Sequence, residues 1–531
     1  MTMLALLASM ATTAPVLAEE DYDISLDGHY RVRIHDHHGL FHPKGSSNYL
    51  THQLRLQPTL DFEGRAKFIM MADALDSVVW GDNMSKASTA LFAGNPSNTD
   101  IEGQPVSDFQ VKRAWMEFSV PVGLLRVGRQ PSHWGMGLLA NEGTHFDDTF
   151  GENNYGSTYD RIIFATRPVA VAQTLLGQKA SDLPLFMAIG IDRLVEDPLI
   201  QYYGYNCTAE GPDDAGDDPQ CNDSAIPYED EEHDYTEDRD PSERTENWWA
   251  ENEDDVFEIV YVLIYKGKDL QWGSNLADFT AGAYAVHRLQ KESLSDVWIY
   301  DAYINLALKN LRVEAEALTI QGETDNIVLA GGDPDNPLHK ETNIVGTVGR
   351  VGYENPNVTL MMEAGYASGD GDIADVEMTG RPLHPDYNVG LLLYEEVLAR
   401  ATADAWSEDV RGLWSKGGVY NSRYIYPNVR WRPLNGWQLS LAYLAAFPDR
   451  PDGSIILKGS EDETSQGEPV SDSKLLGTEI DVGLQIEFAN HMNFSMEWAR
   501  AQITDRVPYV VELGGEDRSL WTLQTRIAYV F

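Results

Sequence analysis

The sequence has few basic residues, few cysteines and no long apolar run. Lys and Arg number 39 against 84 Asp and Glu, which gives a net charge of −45. Because binding to phosphates needs clustered Lys and Arg, this charge excludes nucleic acid as a partner. No stretch approaches the ~20 apolar residues that a membrane helix needs, which excludes a helical membrane protein. A transmembrane β-barrel is not excluded, because its strands are short and apolar on one face only.

The two cysteines and the first residues both point to export. Cys207 and Cys221 are 14 positions apart in a hydrophilic stretch, a spacing that excludes a CxxC metal pair and, in an exported protein, predicts one loop disulfide. Residues 4–18 are apolar and end in small side chains before Glu19. We interpret residues 1–18 as a signal peptide, although no Lys or Arg precedes the apolar run; a buried N-terminal helix is the alternative.

The last residues of the chain alternate between apolar and polar side chains, which predicts a β-strand with one apolar face. One parity holds the apolar set, Trp521, Leu523, Ile527, Tyr529 and Phe531. The other parity holds Gln524 and Arg526. A closing strand that ends on an aromatic residue is typical of bacterial outer-membrane barrels.

The same alternation recurs along the chain and predicts eighteen strands. They lie near 22–36, 49–63, 65–76, 109–120, 123–130, 158–168, 184–193, 255–266, 274–288, 294–308, 311–321, 341–354, 357–368, 423–433, 436–446, 477–488, 491–503 and 521–531. Connections after even-numbered strands are mostly tight, and those after odd-numbered strands are mostly long. This pattern is typical of an all-β, antiparallel, up-and-down transmembrane barrel with short periplasmic turns and long extracellular loops. We therefore predict one barrel domain over residues 19–531 in the cell outer membrane of a Gram-negative bacterium. One longer periplasmic connection, 169–183, is predicted to hold a short helix.

The polar parity of these strands predicts the residues that face the lumen, because a barrel this wide cannot be filled by its wall side chains alone. The predicted pore-lining residues are Arg31, Arg33, Arg55, Arg113, Arg126, Arg430, Arg432, Arg526, Glu117, Glu363, Glu479 and Asp481. Closure brings the first, second and last strands together, so their arginines form a basic arc, and acidic side chains near the carboxyl end form another. Such opposed charges would select polar solutes. The alternative is that these charges only pair with one another across strands.

Two loops carry distinctive composition. Loop 131–157 is rich in Gly and aromatic residues and is predicted either to fold inward as a constriction or to cap the surface. Its candidate constriction residues are His133, Trp134, Met136 and Phe146. Loop 194–254 is acidic: residues 210–255 contain 20 Asp or Glu and two Arg. Divalent cations would screen it from anionic lipopolysaccharide, and its acidic runs could hold Ca²⁺ weakly, although a solvated acidic loop is the simpler interpretation.

Several segments resemble a known family. The DGHYRVR opening at residues 27–33, LRLQPTLDF at 54–62 and LLRVGRQPSHWGMGLL at 124–139 are similar to the alginate-export-like outer-membrane porins. The stretch from Trp115 to Thr166 more closely resembles an uncharacterised family of bacterial outer-membrane barrels. The resemblance implies diffusion or export of an anionic or polar solute. Alginate itself is not carried over, because a channel for an acidic polymer needs a strongly basic lumen and acidic residues are as common here.

The sequence thus favours a porin-like channel for passive diffusion or export of small polar or charged solutes, inserted by the barrel-assembly machinery among outer-membrane lipid and lipopolysaccharide. The alternatives are a non-conducting surface scaffold and, less favoured, a hydrolase on the barrel rim. No GxSxG or HExxH motif is present, and the best loop candidate, His145 with Asp147 and Asp148, lacks a nucleophile. We expect no enzyme activity, resident cofactor or metal. The histidines of the first outer loop, His35, His37, His38 and His42, are the one alternative considered for Zn²⁺ or Cu²⁺.

Overall fold

Eighteen strands follow one another along the chain, and each is hydrogen-bonded in antiparallel fashion to the next. They are β1 (Tyr22–His38), β2 (Ser46–Phe62), β3 (Ala66–Gly81), β4 (Phe109–Val120), β5 (Gly123–Pro131), β6 (Thr158–Thr166), β7 (Leu185–Glu196), β8 (Phe257–Trp272), β9 (Asn275–Gln290), β10 (Ser295–Leu308), β11 (Leu311–Ile327), β12 (Leu338–Glu354), β13 (Val358–Ala367), β14 (Ser422–Trp431), β15 (Trp437–Pro448), β16 (Gly477–Phe488), β17 (Met492–Ile503) and β18 (Arg518–Val530). The predicted all-β barrel of eighteen strands is confirmed.

This computed structural model describes most of the chain with gaps. The described residues are 22–40, 46–81, 109–144, 150–153, 156–196, 256–273, 275–290, 294–327, 338–372, 375–402, 415–452, 454, 456–459, 471–489, 491–507 and 518–531. The described helices are α1 (Pro168–Leu175), in the predicted periplasmic connection, and a π-helical turn (Leu393–Leu398) that continues as α-helix over residues 399–402. None of the described helices is long and apolar enough to cross a membrane.

The first and last strands pair with each other, which closes the sheet. Their register runs from His29 opposite Val530 to His38 opposite Trp521. At the lower end of this seam, Gly28 N donates to Phe531 O at 2.9 Å, and Phe531 N donates to Gly28 O at 3.0 Å. A Cβ atom at position 28 would clash with the backbone oxygen of Arg55 on β2 and would lie 2.9 Å from the Phe531 ring, so the seam requires glycine there. Closure leaves no strand edge unpaired in hydrocarbon, where backbone groups have no water partner.

Three strands continue five or six residues past their predicted last residues, and each carries an irregularity in register. β3 continues to Gly81 past Leu75, whose φ is +57°, and β8 continues to Trp272 past a shift between Gly267 and Leu270. β11 continues to Ile327 past a shift after Thr324. A bulge adds one residue to one strand and so breaks the period of two, although pairing continues beyond it.

The outward parity forms an apolar belt around the barrel. Large side chains on this face are exposed on strands all around the wall, among them Ile162, Ile189, Leu263, Ile304, Val351, Met362, Val429, Leu441, Val482 and Ile527. On a water-soluble protein such a surface would be unstable, because it covers far more than a normal apolar patch. A closed barrel with this belt is an integral protein of the cell outer membrane.

The belt predicts that a charged substitution on the outward face lowers stability more at the middle of the membrane than at its edge. Leu263, near the middle of β8, and Leu311, at the periplasmic end of β11, are both outward and exposed. Leu263→Arg should lower the free energy of unfolding by ~2–4 kcal/mol, and Leu311→Arg by ~1 kcal/mol or less. Urea titration of the refolded protein in lipid vesicles measures both. Equal costs would show that Leu263 does not face lipid tails.

Candidate pore and the loops that fill it

The inward parity carries ionic side chains whose surroundings change along the barrel axis. In the periplasmic half, Arg126 Nε lies 2.8 Å from Glu117 Oε1, and this arginine is 43% exposed. The cross-strand pairs Lys67–Asp61 and Arg312–Glu354 are similarly open, with N–O distances of 2.9 and 2.8 Å. This half is therefore a polar vestibule accessible to water. Arg432 also lies at this end, where its Nη1 donates to Thr359 Oγ1 at 3.1 Å, and Arg430 lies on β14 opposite Thr359 and Ser440.

From mid-height outward, the lumen is occupied by two loops. The first is the β5–β6 loop, whose described residues 132–144, 150–153 and 156–157 fold into the barrel and reach the wall at β9, β10 and β11. Trp134 Nε1 donates to Asp301 Oδ1 of β10 at 2.9 Å, and the Trp134 ring stacks on Tyr284 of β9 with centroids 5.3 Å apart. The backbone N–H groups of Met136 and Leu138 both donate to Glu316 of β11. Of the predicted constriction residues, Trp134 and Met136 are thus buried in the lumen, while His133 is exposed. Phe146 lies outside the described residues.

The same loop returns to the seam of the barrel through Glu152. Its Oε2 accepts from Arg31 Nη1 at 2.7 Å, and its Oε1 accepts from Arg526 Nη1 at 2.8 Å. Arg33 Nη1 is 3.4 Å from Oε2. Burial alone would raise the pKa of Glu152, but Arg33, Arg31 and Arg526 together bring that pKa well below its ordinary value. The seam arginines therefore form a site with room for one carboxylate, and the chain's own Glu152 fills it.

Two further predicted pore-lining arginines hold the root of this loop. Arg55 forms a two-pronged ion pair with buried Asp73, at 2.7 and 2.8 Å, and its Nη1 donates to Gly143 O at 3.3 Å. Arg113 Nη2 donates to Glu142 O at 2.8 Å. Both guanidinium groups thus bind loop carbonyls.

The second loop is the β13–β14 loop, whose described residues 383–402 lie in the lumen, although its length predicts an extracellular loop. The N–H groups of Leu391, Leu392 and Leu393 donate to the Glu479 carboxylate of β16 at 2.6, 2.9 and 2.7 Å. A carboxylate is stabilised at this position because the N–H groups at a helix start are otherwise unpaired. The run of apolar residues at 389–394 was the available signal, since a solvated loop has no reason to carry it.

Two other predicted acidic residues of the wall, Glu363 and Asp481, are bonded to tyrosines of β14. Tyr426 Oη donates to Asp481 at 3.2 Å, and Tyr424 Oη donates to Glu363 at 2.7 Å. Glu363, Glu479 and Asp481 are all buried. They point inward, as the parity predicts, but they contact protein groups and not water.

The two loops bind each other and act as one unit, which we call the plug. His384 N donates to Leu138 O at 2.8 Å, and Gly156 N donates to Asp386 Oδ2 at 2.7 Å. Around these bonds lies an apolar cluster that includes Leu138, Leu383, Val389, Leu391, Leu392, Leu393 and Val397. The plug is therefore anchored to three sectors of the wall: Glu316, Glu479 and the seam arginines.

One grouping in the plug has the composition of a hydrolase triad. Ser157 Oγ lies 3.1 Å from His384 Nε2, and Asp386 Oδ2 is 3.9 Å from His384 Nδ1. However, His384 Nδ1 accepts the backbone N–H of Asp386 at 3.0 Å. Nε2 of the neutral ring must then carry the proton, so it donates to Ser157 and cannot act as its base. All three side chains are also buried, which fits a structural role.

The histidines considered for metal binding are engaged in stacking. His35 stacks on Tyr49 with centroids 4.4 Å apart, and His38 stacks on Trp521 at 3.7 Å. His37 Nδ1 is 3.1 Å from Thr522 Oγ1. Among the described residues, no three His, Cys, Asp or Glu side chains are grouped for a metal. His42, the predicted signal peptide, Cys207, Cys221 and most of the acidic loop lie outside the described residues.

Comparisons with known proteins add a likeness of fold. No protein-family model and no curated protein matches the sequence. Among solved structures, OccK9 (OpdG) of Pseudomonas aeruginosa is 10% identical, with 96% of this chain and 99% of that chain covered and a TM-score of 0.47. OccAB1 of Acinetobacter baumannii is 11% identical, with 96% and 97% covered and a TM-score of 0.47. A BenF-like porin from Pseudomonas fluorescens is 9% identical, with 96% and 98% covered and a TM-score of 0.45. A likeness this distant carries no solute or residue role over to this chain, and the alginate-export-like resemblance stays a prediction.

Glu396 makes the packing of the plug sensitive to pH. Its Oε1 lies 3.9 Å from His37 Nε2, and burial raises the pKa of Glu396 to about 7, while Arg33 opposes this shift. A raised carboxyl pKa means that the packed state holds the proton more tightly. Stability from this group is complete below the ordinary value of 4.5 and is lost as the pH rises towards 7.

We predict that the plug loosens between pH 5 and pH 8. Hydrogen exchange at the amides of Leu391–Leu393, divided by the intrinsic rate at each pH, should show protection falling by about tenfold or more. Burial also raises the pKa of the neighbouring Glu395 well above its ordinary value. The double variant Glu395→Gln/Glu396→Gln should therefore remove most of this dependence, whereas Glu354→Gln in the vestibule should keep it. An unchanged dependence in the double variant would assign it to another group.

Proposed function

We propose that this protein is an outer-membrane channel for passive diffusion or export of small polar or charged solutes, with its lumen narrowed by its plug. The observation that carries the proposal is the open, charged vestibule of the periplasmic half, where ion pairs such as Arg126–Glu117 remain accessible to water. A wall that only enclosed a plug would have no need for solvated charges along half of its length. Side chains of this kind replace part of the hydration of a passing solute.

The way in which the plug is held also supports a channel. Its polar contacts with the wall are hydrogen bonds and ion pairs to Glu316, Glu479 and the seam arginines, and they lie beside an apolar cluster that includes wall residues such as Leu318 and Leu444. Removal of one partner from a buried ion pair costs ~3–5 kcal/mol, because the other charge is left uncompensated. A charged solute that supplies the missing partner can offset that cost. A charged solute can therefore lower the free-energy cost of moving the plug.

A non-conducting scaffold is the second candidate, and a specific observation favours it. The apolar cluster of the plug, with Leu391, Leu392 and Leu393 fully buried, resembles a permanent core. In that case the barrel would present its outer loops to a surface partner. Under either proposal we expect outer-membrane lipid and lipopolysaccharide around the belt and the barrel-assembly machinery during insertion. We propose no enzyme activity, and the alginate-export-like family remains our proposal for its relatives.

Planar-bilayer recording of the refolded protein tests this proposal through Glu152. Glu152→Gln keeps the shape of the side chain but leaves three arginines without their counter-charge. We predict that the time-averaged current rises by about tenfold or more relative to the wild type. Glu117→Gln, the same change in the solvated vestibule, is the matched control and should stay near the wild-type current.

Folding of each variant is checked by the shift in gel mobility that folded barrels show between unheated and boiled samples. If the wild type carries no current, and the folded Glu152→Gln protein carries none either, the result favours the scaffold.

A further inference from the structure

A groove on the outer side of the barrel, at its extracellular rim, is lined by three basic residues. We propose that it binds a phosphate group of an outer-leaflet lipid. It lies between the extracellular ends of β14 and β15, the segment that leads into β16 and the segment that follows β17. Its volume is about 490 Å³, and its lining residues are Arg423, Phe447, Pro448, Asp449, Pro451, Ser473, Lys474 and Arg506.

The position of the groove follows from the strand register. Arg423 lies directly opposite Tyr366 on one side and Phe447 on the other, and all three belong to the outward parity. The next outward residue below Arg423 is Ile425, which is exposed in the apolar belt. The groove therefore starts one step above the lipid-facing surface, at the height where lipid head groups begin.

Arg506 gives the groove a fixed positive charge. It is only 5% exposed, and its Nε and Nη2 donate to Ser473 O at 3.0 and 2.8 Å. Its Nη1 donates to Lys458 O at 2.5 Å. Because these bonds occupy backbone carbonyls and not a carboxylate, the guanidinium charge is not neutralised by them. They also fix Ser473, the neighbour of Lys474, in the wall of the groove.

Arg423 and Lys474 supply the groups that a ligand would contact. Both are exposed. Arg423 Nη2 donates to Pro448 O at 3.1 Å, which holds the guanidinium across the groove. The one lining carboxylate, Asp449, has its Oδ2 occupied by Tyr366 Oη and Gly369 N at 3.1 and 3.2 Å. Three cations and one carboxylate leave the groove basic, in a chain whose net charge is −45.

The chemistry of the groove fits a phosphate monoester. Such a group carries about −1.5 to −2 charges at pH 7, which matches the surplus of positive charge in the lining. Guanidinium and ammonium groups form their strongest hydrogen bonds with such oxygens. The source is assigned to a lipid and not to a soluble anion, because the groove opens beside the apolar belt. A lipid anchored there can place its acyl chains on Ile425, Tyr443 and Ile480, which are exposed just below.

Binding of bis-phosphorylated lipid A to the refolded, full-length protein in detergent tests the inference. The double variant Arg423→Gln/Lys474→Gln should bind this lipid about tenfold or more weakly than the wild type, because two charge-assisted contacts are lost. The matched control Arg129→Gln/Lys268→Gln removes two exposed basic groups elsewhere on the barrel and should bind as the wild type does. Since Arg423 also bonds to Pro448, the single variant Lys474→Gln is included, with an expected weakening of severalfold.

Lipid A from which both phosphates have been removed separates head-group recognition from acyl-chain contact. The proposal requires that this lipid bind wild type and double variant equally, and more weakly than the phosphorylated form binds the wild type. It is overturned if removal of the phosphates leaves the affinity of the wild type unchanged, or if the folded double variant binds like the wild type. Inorganic phosphate is added as a competitor to test the source of the phosphate group. If it displaces bound lipid A at concentrations as low as those at which lipid A itself binds, the lipid assignment is overturned.

Discussion

Every part of this structure depends on the need to pair backbone N–H and C=O groups where no water is available. A sheet in hydrocarbon satisfies this need only when its first and last strands meet, and β1 and β18 do so over ten residue pairs. Closure fixes the parity of each strand, because a slip of one residue would turn the apolar set inward. From that parity follow the lipid belt outside and the ionic lining inside.

The interior shows how a wide barrel deals with the space that it encloses. Eighteen strands leave more room than wall side chains can fill, and here two loops occupy the outer half while the periplasmic half stays polar and open. The wall holds these loops with ionic groups: carboxylates accept N–H groups from Met136 and from Leu391 to Leu393, and the seam arginines bind Glu152. Such contacts are strong when complete and costly when one partner is missing. They therefore suit a plug that is either fully in place or displaced.

Local alternation predicts most of the fold, because lipid requires apolar side chains at every second position of a strand. Some inward positions, such as Val260, Val286 and Leu318, are apolar too, since they belong to the cluster around the plug. The strand count, the order of short and long connections and the inward direction of Arg31, Glu479 and Arg526 all follow from the alternation. Bulges such as the one after Gly267 were missed, because they interrupt the alternation. The role of Glu152 was missed for a different reason. Arg31 lies 121 positions upstream, Arg33 follows it two residues later, and Arg526 lies 374 positions downstream, so only the closed wall brings these partners together. The apolar run at 389–394 is readable in the sequence, but a local pattern does not show that its loop folds back into the lumen.

The central claim is that side chains on one parity face lipid tails while those between them face an enclosed lumen. Nitroxide labels on single cysteines at Gln438, Leu439, Ser440 and Leu441 of β15, with Cys207 and Cys221 replaced by serine, test it in lipid vesicles. Collisions with oxygen, which concentrates in the membrane, should be frequent at Leu439 and Leu441 and rare at Gln438 and Ser440. Similar oxygen accessibility at all four positions, or frequent collisions with a water-soluble nickel complex at Leu439 and Leu441, would contradict the account.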